Sequence, residues 1–221
     1  MKRTTLTALA VLASTPAIAQ DLMLGEVTAF SSLTPMDTNR TGATVEVITS
    51  EELQDSAVQS VSDYIARLPG VTVAQTGGFG KQTAIRVRGL AGAYIAVRVD
   101  GIDVSDPSAT QSLFDFGGLM TSDIATIEIL KGGQSALYGS DAIGGVINIT
   151  TTAAVEEGRT ISLAGEVGSY GTVSGSIGFS EAYERGSLAM TYSQTDTDGF
   201  SARDSDTEDD ASQSRRLSFS G

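Results

Sequence analysis

The stretch DIATIEILKGGQSALYGSDAIGGVINITTT, residues 123–152, decides the fold. A strand-like run with Ile124, Ile127 and Ile129 leads into a turn dense in glycine and other small residues, and a second β-rich run, VINITTT, follows. So many glycines predict a backbone that bends sharply and packs closely against another surface. The stretch contains no nucleophile–base pair and no cluster of metal ligands, so we expect it to be structural rather than catalytic.

Short elements precede this stretch. Residues 44–49, TVEVIT, alternate between apolar and polar side chains as a strand does. Thr49 and Glu52 form a capping-box pattern that predicts a short helix, and Ser60 with Asp63 predicts the start of a second one. Further short strands are predicted at 71–76, 83–89, 94–101, 124–130 and 144–150, with glycine-bearing loops between them. Together these patterns predict a compact α+β domain, a small mixed sheet with short helices, at 44–152.

Five motifs within this domain follow one another in order: VEVITSEEL, SDYIARLPGV, RVRGL, VRVDGIDVSDP and IATIEILKGGQSALYGSDAIGGVINITT. In this order they resemble the plug domain of TonB-dependent outer-membrane receptors, most closely the cobalamin-receptor group. The chain departs from the usual pattern with KGG in place of KGP or RGP, and with VRVDG in place of VLIDG. Neither departure affects the fold that the resemblance implies.

The pattern changes after Thr152. Residues 159–169, 172–180 and 187–193 alternate between apolar and small or polar side chains, and a fourth such segment begins at 215–221. This pattern suits strands with lipid on one side and a wet lumen on the other, although half of a soluble antiparallel sandwich gives the same alternation.

The lengths of the connections favour membrane-spanning strands over a soluble sandwich. Short turns are predicted at 169–172 and 181–186 and a long acidic connection at 195–214, as in a barrel with short periplasmic turns and longer outer loops. The resemblance then implies that 153–221 are the first antiparallel strands of a transmembrane β-barrel. Since so few strands cannot close, and plugged barrels have about 22, we expect this chain to be the N-terminal part of a longer receptor.

Residues 1–19 are predicted to be a signal peptide, with Lys2 and Arg3 before a short apolar stretch and an A-x-A cleavage site at Ala17-Ile18-Ala19. The resemblance places the exported chain in the outer membrane of a Gram-negative cell, in contact with lipid. Removal of the signal peptide leaves 12 basic and 27 acidic residues, a net charge of −15 that disfavours nucleic acid as a partner. The chain has no Cys and no His, so the usual zinc sites and Ser–His–Asp catalysis are not expected, and we predict no enzymatic activity.

Residues 20–43 are predicted to be a flexible arm. Its one β-capable run, LGEVTAF, is by the resemblance the TonB box, which the energy transducer TonB would bind by pairing edge-on with a free strand. This candidate consists of Leu24, Gly25, Glu26, Val27, Thr28, Ala29 and Phe30. An arm without a binding role stays open as the alternative.

The resemblance also implies that a small-molecule metal chelate meets the outward loops of the plug. The candidate contacts are Phe79, Lys81, Gln82, Thr83, Ala91, Gly92, Ser108, Ala109 and Thr110. Small, uncharged side chains apart from Lys81 favour a large neutral chelate, for which we expect cobalamin or a related corrinoid. A ferric siderophore or haem stays open, as does a free plug acting as a periplasmic binding or signalling module.

Two further sets of charged residues stand out. Arg86, Arg88 and Arg98 are candidates for ion pairs with acidic groups of the barrel wall, or for ordinary surface charges. Seven carboxylates crowd 196–210, and by the resemblance to cobalamin receptors this connection binds calcium. The predicted calcium ligands are Asp204, Asp206, Asp209 and Asp210, and a solvated acidic loop is the alternative.

Overall fold

The computed structural model describes residues 27–28, 36–37, 44–56, 58–106, 108, 113–151, 158–183, 186–201 and 209–220. Two units follow one another: a mixed α+β unit at 44–151, here called the plug unit, and four antiparallel strands at 158–220, here called the strand unit. This arrangement confirms the predicted fold class. The predicted signal peptide lies outside the described residues.

The plug unit is built on a five-stranded sheet. Its strands are β3 (Thr44–Thr49), β6 (Ile95–Val99), β7 (Ile102–Asp103), β8 (Ile124–Lys131) and β9 (Gly145–Thr151). Their order across the sheet is β3-β8-β9-β6-β7, and only the β6–β9 pair is parallel. The glycine-dense turn joins β8 to β9 and contains the short helix α3 (Ser135–Tyr138). The strands predicted at 44–49, 94–101, 124–130 and 144–150 are thus confirmed to within a residue or two at their ends.

Alternation along β8 and β9 gives the sheet two apolar faces. Ile127, Ile129, Ile147 and Ile149 are fully buried in the main core, while the intervening Leu130 and Val146 pack beneath α3 in a smaller cluster. Two helices and a hairpin cover the main core: α1 (Ser50–Asp55), α2 (Val61–Ile65), and β4 (Val71–Gln75) paired with β5 (Thr83–Val87). Burial of this apolar surface is the main stabilising contribution to the plug unit.

The two predicted helix caps differ in outcome. The Thr49 side chain accepts from the Glu52 amide at 3.3 Å while the Glu52 carboxylate accepts from the Thr49 amide at 2.8 Å, so the capping box is confirmed. At α2 the side chain of Ser60 makes no cap hydrogen bond, and its Oγ lies 2.6 Å from the buried Oγ of Ser62. The Ser60–Asp63 capping prediction was therefore wrong in its contacts, although the helix begins where it was expected.

The strand unit consists of β10 (Gly158–Val167), β11 (Val173–Tyr183), β12 (Gly186–Thr197) and β13 (Ser212–Ser220), paired in chain order. Two boundaries differ from the sequence prediction. The turn predicted at 181–186 shortens to 184–185, and the long connection predicted at 195–214 shortens to 198–211. The strands β11, β12 and β13 are longer than predicted because their backbones stay paired up to these points. Tyr183 lies opposite Gly186, and Thr197 lies opposite Ser212.

The two faces of the strand unit differ in chemistry. The outer face carries exposed apolar side chains, with Leu163 82%, Ile177 52% and Met190 42% exposed, so these side chains do not form a self-contained soluble core. The inner face is small or polar, and along β12 it is buried at Ala189, Thr191, Ser193, Thr195 and Thr197. Within the described residues, no helix has both the length and the apolar character needed to cross a membrane.

Candidate functional site

The inner face of the strand unit packs against the plug unit. The Thr195 hydroxyl lies 3.6 Å from the sulfur of Met120, and the Arg216 guanidinium donates to the Gly118 carbonyl at 3.2 Å. Next to these contacts an open cleft of about 410 Å³ separates α1 and the 120–122 segment from β10 and β11. On the strand side, the residues that line the cleft have mainly small or polar side chains, including Ser162, Ser174 and Ser176. The interface between the two units is therefore incompletely filled, with a mainly polar surface on the strand side and apolar side chains such as Leu53 and Met120 on the plug side.

A second set of contacts lies at one end of the strand unit, where residues 168–172 join β10 to β11 and the connection 198–211 leaves β12. The Tyr170 and Phe200 rings are 5.1 Å apart, and the Asp198 amide donates to the Tyr170 carbonyl at 3.0 Å. The plug loop 77–82, which joins β4 to β5, reaches this end. We call the described residues 77–82, 168–172, 198–201 and 209–212 the rim.

Lys81 and Asp210 join the two units across the rim. The Lys81 Nζ lies 3.3 Å from Oδ1 of Asp210. A side chain at Gly78 would meet the Phe200 ring at 3.4 Å, and Gly80, with φ of 81°, has the Ser212 side chain where its own Cβ would project. Glycine at 78 and 80 thus allows the plug loop to approach the strand unit this closely.

The predicted ligand contacts are arranged around one short segment, 113–117. The Gly80 amide donates to the Gly117 carbonyl at 3.1 Å, and a side chain at Gly92 would meet Leu113 at 3.0 Å. Ser108 belongs to a loop whose base closes where the Asp106 amide donates to the Leu113 carbonyl at 3.0 Å. The loops containing Phe79 to Gln82, Ala91 to Gly92 and Ser108 therefore border a common support.

Two carboxylates organise these loops. Oδ1 of Asp115 accepts from the amides of Thr83 and Gly117, both at 2.9 Å, and so holds the base of the 77–82 loop. The Ser108 hydroxyl donates to the Asp106 carboxylate at 2.7 Å, and the Ser108 backbone amide donates to it at 2.8 Å. Both hydrogen bonds, the first more than the second, lower the pKa of the Asp106 carboxyl. A role for residues 113–117 was not predicted from the sequence, although the aspartate between two phenylalanines in FDF, residues 114–116, was an available signal.

Not every predicted contact can face a ligand. Thr83 is 1% exposed and its hydroxyl donates to the Lys81 carbonyl at 2.9 Å, so its assignment as a ligand contact was wrong. Gln82 and Ser108 are exposed, and Phe79, Lys81, Ala91 and Gly92 are partly exposed. Ala109 and Thr110 lie outside the described residues.

The contacts of the three arginines are local to the plug unit or absent within the described residues, so the choice between ion pairs with a barrel wall and ordinary surface charges stays open. Arg88 donates to the Thr44 hydroxyl at 3.0 Å, while Arg98 donates to the Gly101 carbonyl and lies 5.6 Å from the centre of the Tyr138 ring. Arg86 is exposed, and within the described residues none of the three forms an ion pair with the strand unit.

The predicted calcium site is only half described, because Asp204 and Asp206 lie outside the described residues. Of the other two, Asp209 is exposed and Asp210 pairs with Lys81. Asp209 and Asp210 alone are too few for calcium, and no group of three or more potential metal ligands occurs in the described part of the chain.

In the predicted TonB box only residues 27–28 are described. Val27–Thr28 form β1, which pairs antiparallel with β2 (Met36–Asp37). The short run is therefore extended, as expected of a strand-forming segment, but it is paired within the chain, where the sequence analysis expected a free strand. Leu24, Gly25, Glu26, Ala29 and Phe30 lie outside the described residues.

The chain is similar in sequence to known proteins. Residues 37–146 match the family described as TonB-dependent Receptor Plug Domain. The chain is 36% identical over 168 residues to the Vitamin B12 transporter BtuB of Photobacterium profundum, a match that covers 73% of this chain and 26% of that protein. This chain thus spans about a quarter of the length of that relative.

Solved structures show the same fold. FpvA of P. aeruginosa, solved bound to heterologous pyoverdines, has a TM-score of 0.63 at 18% identity, over 77% of this chain and 22% of that one. The siderophore receptor PirA from Acinetobacter baumannii has a TM-score of 0.53 at 27% identity, over 70% of this chain and 24% of that one.

Proposed function

Because this chain belongs, through residues 37–146, to the TonB-dependent receptor family, we propose that it acts in the active uptake of a metal chelate across the outer membrane. We propose cobalamin or a related corrinoid as the chelate, since the Photobacterium relative is a vitamin B12 transporter. No bond of the chelate is made or broken in this role. The plug unit would block the passage until energy from the inner membrane moves it.

The observation that supports this role best is the orientation of the strand unit. Its polar inner face contacts the plug unit at Thr195 and Arg216, while its apolar outer face, including Leu163, stays exposed. A soluble sandwich would bury the apolar face instead. A plug that works as a free periplasmic module would have no need for polar strands folded against it.

The transducer would bind the segment 24–30. A partner strand added at Val27–Thr28 would gain main-chain hydrogen bonds, and the side chains at alternate positions would add selectivity. Since these two residues already pair with Met36–Asp37, binding of TonB would exchange one strand partner for another. Calcium bound by the 198–211 connection would neutralise its carboxylates and order the loop beside the rim.

A siderophore receptor is the second candidate. PirA, a siderophore receptor, is 27% identical to this chain over 70% of its length. A ferric siderophore and a corrinoid would differ mainly in charge, and this difference gives the two candidates separate tests.

The test uses the whole protein that the gene encodes, expressed in a Gram-negative strain that lacks its own vitamin B12 receptor. We expect outer membranes from this strain to bind labelled cyanocobalamin more tightly with calcium than without it. Absence of binding in both conditions would remove the corrinoid proposal. Binding of ferric enterobactin in place of cyanocobalamin would establish the second candidate.

The transducer segment is tested in the same strain. Val27→Pro removes a backbone donor from the strand, so uptake should be lost while binding of cyanocobalamin is unchanged. Ser32→Pro, which lies in the arm but outside 24–30, is the matched control and should leave uptake intact. Equal uptake by the two variants would place the transducer segment elsewhere.

Contact with lipid has its own test. Leu163→Arg puts a charge on the outer face, where arginine near the bilayer midplane costs about 2–4 kcal/mol, so the amount of protein assembled in the outer membrane should fall steeply. Ala164→Arg, at the next residue but on the inner face, is the control and should assemble nearly as the parent does. Equal losses would contradict the proposed orientation of the strand unit.

A further inference from the structure

The ion pair at the rim involves the one charged side chain among the predicted ligand contacts. Lys81 is the single charged residue in the predicted ligand loops 79–83, 91–93 and 108–111. Its ammonium lies 3.3 Å from the Asp210 carboxylate, and the two side chains are 36% and 35% exposed. Among the ion pairs of the described residues, only this one joins the plug unit to the strand unit.

Packing around the pair holds it in place. Phe200 lies against Gly78 on one side of the loop and Ser212 lies beside Gly80 on the other. The Phe200 ring is in turn 5.1 Å from Tyr170. These contacts bring the backbone of 77–82 and the end of the 198–211 connection together without help from the charges. The pair therefore loses less side-chain freedom when it forms than two long side chains on an open surface would.

We propose that Asp210 determines the charge selectivity of the receptor: by neutralising Lys81, it makes the ligand surface of the plug favour chelates without net negative charge. This inference rests on the proposed function, since it assigns a role to one residue of the same ligand surface. An unpaired ammonium at this position would attract anionic ferric chelates. Paired with Asp210, and with the Asp115 carboxylate beneath the same loop, it offers no excess positive charge.

Asp210→Asn tests the inference directly, because it removes the charge and keeps the shape. Glu166→Gln is the matched control: it changes the net charge equally, at an exposed residue of β10 that forms no ion pair within the described residues. The probes are cyanocobalamin, which is neutral, and ferric enterobactin, which is anionic. Both are titrated onto outer membranes that contain the protein, without calcium, so that a change in calcium binding at Asp210 does not affect the result.

With Asp210→Asn we expect ferric enterobactin to bind about threefold to fivefold more tightly, the range that a partly exposed pair can supply. Without calcium, binding of cyanocobalamin should not change, and Glu166→Gln should change neither affinity. Adding Lys81→Gln to Asp210→Asn should return both affinities to those of the parent. In 1 M salt, where the Debye length is about 3 Å, the gain should disappear.

A second measurement needs no ligand. An amine held in an ion pair acylates slowly, so Asp210→Asn should raise the acylation rate of Lys81, read by mass spectrometry, while Glu166→Gln should not. Lys131, which is buried, is the internal reference in the same sample. Equal rates in the two variants would show that the pair does not form, and would overturn the inference whatever ligand is bound.

The possible failures are distinguishable. If cyanocobalamin binds but Glu166→Gln and Asp210→Asn have equal effects on ferric enterobactin, the inference is wrong and the proposed function stands. If no variant binds either probe, the proposed function is contradicted and the inference falls with it.

Discussion

Glu46 and Lys131 form an ion pair whose loss should destabilise the plug unit strongly. The pair links β3, the edge strand that follows the arm, to the end of β8. The Lys131 side chain is 6% exposed and that of Glu46 is 28% exposed, and the Lys131 ammonium also donates to the Pro69 carbonyl at 2.9 Å. Glu46→Ala would leave the ammonium almost fully buried with one neutral partner.

The expected cost follows from this geometry. Removing one partner of a buried pair costs about 3–5 kcal/mol, and partial exposure of Glu46 lowers our expectation to about 2–3 kcal/mol. That corresponds to a decrease of roughly 30- to 150-fold in the ratio of folded to unfolded plug unit. The double variant Glu46→Leu with Lys131→Met should stay within about 1 kcal/mol of the parent, because it removes both charges and keeps apolar volume.

Pulse proteolysis of the intact chain across a urea series measures these free energies of unfolding. Glu51→Ala is the control, since Glu51 is exposed in the first turn of α1 and its loss should cost less than about 0.5 kcal/mol. Equal losses for Glu46→Ala and Glu51→Ala, or a double variant as unstable as Glu46→Ala, would refute the reasoning.

Three further substitutions test the local geometry by the same assay. Gly145→Ala should cost about 2–4 kcal/mol, because φ is 156° and the new Cβ would meet a carbonyl of β8, whereas Gly133→Ala, with its nearest atom at 3.7 Å, should cost about 1 kcal/mol or less. Thr49→Ala removes the acceptor for the Glu52 amide and should cost about 1 kcal/mol. Asp100→Ala should cost about 1–2 kcal/mol, since the carboxylate accepts two bonds of 2.8 Å at the end of β9 and φ is 50°, while Asp100→Asn should cost less because asparagine tolerates that φ.

The sequence predicted those parts of the fold that depend on near neighbours. The capping box at Thr49 and Glu52 needs two residues three apart, and the buried strands around Ile127 and Ile147 follow from alternation within a few residues. The order of the strands in the sheet, with β6 parallel to β9, rests on contacts between distant segments. The sequence analysis did not address that order.

In the strand unit, the alternation of apolar and polar residues did not predict where β12 ends. Thr195 and Thr197 were predicted to begin a polar loop, yet they continue β12 and are buried. Small hydroxyl side chains suit the interface with the plug unit because they fit closely and still find hydrogen-bond partners, such as Met120 for Thr195. A polar segment buried by another unit cannot be told from a solvated one by its own sequence.

The sequence predicted which loops form the candidate site better than it predicted which of their side chains are exposed or paired. The loops around Lys81, Ala91 and Ser108 are connected through 113–117 as a shared support. Thr83, however, is buried because it lies on the same face of β5 as Ile85 and Val87, which are buried in the core. The link between Lys81 and Asp210 joins residues far apart in the chain, and neither local pattern points to the other.

The two kinds of interface in this chain differ in strength, and this difference suits the proposed role. Within the plug unit, fully buried isoleucine and valine side chains contribute about 25 cal/mol for each Å² removed from water. Between the described residues of the plug and strand units the contacts include hydrogen bonds, a partly exposed ion pair, the Phe200 ring beside Gly78 and an open cleft of about 410 Å³. The polar contacts among them largely exchange bonds with water for bonds with protein. An apolar inner face would bind the plug too firmly to move. In the proposed role, a stable plug core and a weaker, hydrated interface with the strand unit would let a pull on the arm move the plug. Separating the two units would cost less free energy than unfolding the core.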